Sequence, residues 1–163
     1  MFVLTYIYKL IKSKIMKRIF LNPITGIVIS LITISCKVEP QAIEYGKDQC
    51  GFCSMNIVDK THASQYVTTK GKQFKFDSIE CMLNDLNKKN KEEIAIILVA
   101  DFGNPGDMIK AKTASYLISE EIKSPMGANL SAFQSLVKAE EFKQAHSGEI
   151  YNWTTLKEKF SEK

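Results

Sequence analysis

The sequence predicts an α+β domain: two ββα units built on antiparallel sheet, preceded by a signal peptide and a flexible tether. Three observations carry this expectation. Short strand-like runs recur in pairs, each pair is followed by apolar residues at helical spacing, and residues 1–35 differ in composition from all that follows. Strands punctuated by single helices are the pattern of helices laid on one face of an antiparallel sheet. The expected boundaries are a signal over 1–35, a tether over 36–48 and a domain over 49–163.

Residues 1–35 contain no acidic residue and five basic ones, Lys9, Lys12, Lys14, Lys17 and Arg18. An apolar run from Ile24 to Ile34 follows, then Ser35-Cys36. A basic start, a short apolar segment and a small residue before the break mark an export signal. The run is too short for a membrane span, which needs about 20 residues. Met16-Lys-Arg opens a signal of ordinary length, with Met1 to Ile15 upstream of it. Ser35-Cys36 resembles a bacterial lipobox, although Thr33 stands where that pattern usually has leucine. The resemblance implies acylation of Cys36, and each buried methylene of an acyl chain adds about 0.8 kcal/mol of anchoring. Cleavage of an ordinary signal, with Cys36 free or in a disulfide, is the alternative.

Loss of the signal changes the charge. The chain has 22 basic and 18 acidic residues; removing the five basic ones leaves 17 against 18, a net of −1. The electrostatic footprint of a nucleic-acid binder is therefore missing. Residues 36–163 are enough for one domain with a real core. Besides Cys36, the thiols are Cys50, Cys53 and Cys81, an odd set that no complete disulfide framework accounts for.

Lys37 to Asp48 is polar, holds Pro40 and shows no periodicity, as a tether should. Cys50-Gly-Phe-Cys53-Ser-Met55 follows, with two thiols and a thioether in six residues. Such soft donors prefer Cu(I) to hard cations. Zinc, iron–sulfur chemistry, thiol exchange or a structural disulfide remain open for a Cys-x-x-Cys, with Met55 as core filler. In extended backbone Cys53 and Met55 would share one side and Ser54 would point away.

His62 to Thr69 and Lys72 to Asp77 read as a hairpin about Lys70-Gly71, with Phe74 and Phe76 alternating with polar neighbours. Ile79, Met82, Leu83 and Leu86 fall on one helical face, and Ser78 is placed to cap it. Lys88 to Glu93 is a charged loop. Ile94 to Ala100, seven apolar residues, reads as a strand buried on both faces. Asp101 to Asp107 reads as a turn, and Met108 to Ser119 as one further strand. Leu130, Phe133, Leu136, Val137 and Phe142 fit a second helix; Ile150 to Trp153 reads as a short strand before a helical turn through Leu156 and Phe160.

Taken together, Cys50-x-x-Cys53-x-Met55, Phe76-Asp-Ser-Ile-Glu-Cys81, Ser124-Pro-Met126-Gly127 and the later Ala132-Phe133 resemble the NosL family from about Lys47 to Phe160. These are copper-binding lipoproteins that help mature nitrous oxide reductase. The resemblance implies two related ββα units and a periplasmic-side Cu(I) chaperone. Its implied partners are the apo-reductase or a transporter-linked assembly complex. It also implies Cys53, Met55 and Met126 as ligands, with Cys50 present only in part of the family.

Several other residues have two readings. Met126 sits between Pro125 and Gly127, where a methionine is either a ligand or part of a turn. Cys81, in a first helical turn, is either a lowered-pKa thiolate, hence a third sulfur ligand or a disulfide partner for Cys50 or Cys53, or a small buried residue beside Met82. His62 is a further ligand or a strand-end residue near solvent, and His146 ends the second helix. Asp77 and Glu80 suit the positive end of a helix dipole. Against the copper reading stand a thiol–disulfide oxidoreductase using Cys50 and Cys53, and a zinc site from Cys50, Cys53, Cys81 and His62.

Overall fold

The computed structural model describes residues 38–88 and 93–161. The expected signal peptide and the acylated Cys36 lie outside the described residues. The elements are β1 (Ser64–Thr68), β2 (Gln73–Phe76), α1 (Ile79–Lys88), β3 (Ile94–Ala100), β4 (Met108–Lys110), β5 (Ser115–Ile118), β6 (Leu130–Phe133), α2 (Leu136–His146), β7 (Glu149–Tyr151) and α3 (Trp153–Ser161).

All strand pairs are antiparallel, in two sheets ordered β2-β1-β3-β4 and β6-β5-β7. The same plan occurs twice. A hairpin precedes a helix, and the strand after the helix returns to the free edge of the hairpin's first strand. The expected α+β fold of repeated ββα units is present, but the second unit begins at Ser115, because β3 completes the first sheet by pairing with β1.

The hairpin of β1 and β2 forms as its sequence requires. Gly71 takes φ +80° and donates its N–H to Thr68 O at 2.9 Å. Tyr66 stacks on Phe74 across the strands, with ring centroids 4.7 Å apart. Ser78 Oγ accepts from Cys81 N at 3.2 Å, capping α1. Ile79, Met82 and Leu83 bury the opposite face with Phe76 and Val99. Complete burial of each such side chain contributes about 1.5–3 kcal/mol.

Three expectations about strands and helices change. Met108 to Ser119 is not one strand: a 3-10 turn over Ala111–Thr113 breaks it, held by Ala114 N on Lys110 O and by Tyr116 Oη donating to Ala111 O at 2.7 Å. The break carries the chain from one sheet to the other. Leu130 and Phe133 do not start a helix. Their spacing of three imitates one, but all of β6 is buried and pairs with β5, and α2 starts only where Ser135 caps Lys138 N. Finally, β3 is half-buried over most of its length, with only Val99 and Ala100 fully covered.

The segment expected as a tether is bound along β2 from Glu39 onward. Gln73 Nε2 donates to Glu39 O at 2.9 Å, and Lys75 Nζ donates to Ala42 O and Asp48 Oδ2, both at 2.7 Å. Ile43 and Tyr45 pack against the core.

One polar strut links the two sheets. His62 Nδ1 meets Asp59 Oδ2 at 2.8 Å, and its Nε2 meets Ser131 Oγ of β6 at 3.2 Å. The histidine expected near solvent is thus buried, as is Ser131. The Asp-His-Ser order resembles a hydrolase triad, yet the serine has no exposed surface for a substrate to reach. Burial pushes the Asp59 carboxyl up, but bonds from His62 and Thr61 outweigh it and hold the group below the usual carboxylate range. A depressed native pKa stabilises the fold above the unfolded-state value and loses that contribution as pH falls through the native one. Stability should therefore decline from about pH 4 downward, by on the order of 1–3 kcal/mol from this carboxylate. Asp59→Asn should flatten that acid limb in urea titrations; an unchanged slope would remove Asp59 from the explanation.

Candidate metal centre

The sulfur-bearing loop folds on itself before it meets the rest of the domain. Gln49 and Asn56 form a bridge, Cys50 N donates to Met55 O at 2.8 Å, and Ser54 N donates to Cys50 O at 3.0 Å. Ser54 adopts φ +64°, so Cys53 and Met55 do not lie in extended backbone and the alternation expected for them does not apply. Instead the N–H of Met55 points at the Cys53 sulfur. Gly51 N binds Lys75 O at 2.8 Å, fixing the loop against β2 just before Asp77.

That docking gathers four donors. The sulfurs of Cys50, Cys53 and Cys81 and a carboxylate oxygen of Asp77 all lie within 4.8 Å of one another. Cys50 comes from the loop, Asp77 from the end of β2, and Cys81 from the first turn of α1. Cys53 Sγ stands 3.5 Å from Asp77 Oδ2. The other oxygen, Oδ1, is buried with no hydrogen-bond partner among the described residues. An unpaired buried carboxylate oxygen is costly unless something else meets it. All three thiols are free, and Cys50 and Cys81 are buried while Cys53 is partly exposed.

The proton distribution is uneven. The Cys50 thiol is lowered to about 6, first by the Cys81 thiol donating to it and then by backbone N–H groups of Cys53, Asp77 and Phe52, against the effect of burial. Cys81 is pushed up for the reciprocal reason, with burial and Asp77 adding to it. The helix dipole expected to favour a Cys81 thiolate is thus overridden. Burial chiefly raises Cys53. The arrangement favours the thiolate at Cys50 and keeps Cys53 and Cys81 as thiols, whose protons a bound cation would have to displace.

Of the residues expected as ligands, Cys50 and Cys53 are in the cluster. Met55 and Met126 are large apolar side chains left 52% and 41% exposed, so neither is core filler. His62 is committed to Asp59 and Ser131 and does not complete a zinc set. Cys81, weighed from the sequence as a further sulfur donor, joins them, and Asp77 enters in place of His62. Sequence reasoning took Asp77 for a helix-terminus residue; the surplus thiol count was the available signal for Cys81.

A family model described as NosL matches residues 41–161. Among solved structures, the crystal structure of the copper chaperone NosL from Shewanella denitrificans superposes with a TM-score of 0.63 at 21% identity, over 72% of this chain and 95% of that one. At that identity the likeness is one of fold. No curated protein matches the chain.

Proposed function

The chain belongs to the NosL family, and on that footing we propose that it is a Cu(I) chaperone, anchored by acylated Cys36 on the periplasmic side of the cell envelope. Its cargo is delivered for maturation of nitrous oxide reductase, to the apo-enzyme or to a transporter-linked assembly complex. No catalytic turnover is part of this role. The observation that carries the reading is the convergence of three sulfurs, from the loop and from α1, within 4.8 Å.

The layout suits retention followed by transfer. Buried Cys50 and Cys81 supply thiolates that hold a soft monovalent ion away from water. Cys53, partly exposed, is the sulfur common to this interior set and to the Cys-x-Met pair. Met55 and Met126 offer exposed, neutral thioethers, which an incoming sulfur ligand of a partner can displace. Copper then moves through shared ligands and is never released as a free ion.

Two features weigh against thiol–disulfide exchange. A nucleophilic cysteine needs both exposure and a lowered pKa. Here Cys50 has the lowered pKa but is 3% exposed, and the more accessible Cys53 is raised. Zinc is the second reading, because Asp77 adds a hard oxygen that makes a four-donor set with the three thiols. Titration of the reduced protein with Cu(I) and Zn²⁺ in competition separates the two. About one Cu(I) per chain should bind and displace zinc, and Cys53→Ser should abolish copper retention. Stoichiometric copper in that variant would refute the assignment of Cys53, and zinc required for folding would refute delivery.

A further inference from the structure

Cys50 and Cys53 lie in the loop docked on β2 and Cys81 in α1, whereas Met126 comes from the second ββα unit, in the connection between β5 and β6. A buried contact ties the Met126 connection to α1. Ser124 Oγ donates to Glu80 Oε1, and the same hydroxyl oxygen accepts from Asn129 N at 2.8 Å. Because a backbone N–H already points at that oxygen, the single hydroxyl proton is free to go to Glu80. Glu80 is 2% exposed and Ser124 8%. A carboxylate serving only the helix dipole has no need of burial, and burial of a charged group is costly without a bonded partner. Glu80 immediately precedes Cys81 in the first turn of α1. On the other side, Gly127 N closes on Ser124 O at 3.0 Å, forming a turn from which Met126 stands exposed.

We propose that Glu80 and Ser124 are positioning residues that lock the Met126 loop to the helical turn carrying Cys81, so that the thioether is offered to Cu(I) without being ordered on binding. The inference rests on the copper reading above and on Met126 as a ligand. Its physical basis is preorganisation: a loop fixed during folding does not lose its conformational freedom again when the ion arrives.

A double-mutant cycle tests it, with Cu(I) affinity read by competition against a chromophoric Cu(I) chelator. Ser124→Ala should weaken binding about tenfold in the parent protein and by less than about twofold in a Met126→Ala background. Glu80→Gln, which keeps an acceptor oxygen, should stay within about twofold of the parent, whereas Glu80→Ala should follow Ser124→Ala. Circular dichroism establishes that each variant is folded. A similar loss from Ser124→Ala in both backgrounds overturns the inference while leaving the copper reading intact. A parent protein that takes up no Cu(I) refutes both.

Discussion

Cys81→Ser is expected to lower Cu(I) affinity by at least about a hundredfold, since loss of an outer-sphere partner alone costs roughly ten- to a hundredfold. The reason is local. Cys81 is fully buried beside Cys50 and donates its proton to it. Serine keeps the size and a donor group, so the packing of α1 against Phe76 and Val99 should survive. What it removes is a soft donor, and an alcohol oxygen is a poor ligand for Cu(I). The measurement is chelator competition on reduced protein, with thermal unfolding alongside. An affinity within about threefold of the parent would make Cys81 a packing residue only.

The largest effect on stability is expected at Gly148. It sits between α2 and β7 with φ +115°, and a Cβ there would lie 2.3 Å from Ile118 O and 3.1 Å from Leu117 Cδ1. Those atoms belong to β5, the central strand of its sheet, which pairs with β7 through Ile118 and Glu149. Gly148→Ala therefore faces backbone strain and a collision with backbone that cannot rotate away. Together these should cost more than about 3 kcal/mol, through displacement of β7. Gly46 is the control, because φ +84° gives strain but no atom lies within 4 Å of its Cβ position. Gly46→Ala should cost about 1–2 kcal/mol. Equal urea midpoints for the two variants would show that the collision is relieved elsewhere.

The readable parts of the sequence were those governed by neighbours in the chain. Alternation of Phe74 and Phe76, the helical spacing of Ile79, Met82, Leu83 and Leu86, and the Ser78 cap all appear in the structure where local chemistry puts them. The second unit was harder to read. Leu130 and Phe133 are three residues apart, a helical spacing that a strand shows only when both its faces are buried, and that burial comes from the packing of β6 beside β5. A break at Ala111–Thr113 is likewise invisible locally, because it is set by the passage from one sheet to the next.

The metal centre divides along the same line. Cys50 and Cys53 announce themselves by spacing, whereas Asp77 and Cys81 join them only because Gly51 docks on Lys75 at the end of β2. Asp77 and Glu80 share a helix terminus, where carboxylates are favoured electrostatically. Burial is what distinguishes them from ordinary terminus residues, and the fold turns one toward the thiols and the other toward Ser124.

X-ray absorption at the copper edge of the Cu(I)-loaded protein is the most direct test of the central claim. The account predicts one copper per chain in a low-coordinate shell made of sulfur, with sulfur scattering lost in Cys81→Ser and no copper retained by Cys53→Ser. A shell dominated by nitrogen or oxygen, or a sulfur shell unchanged in Cys81→Ser, would contradict it.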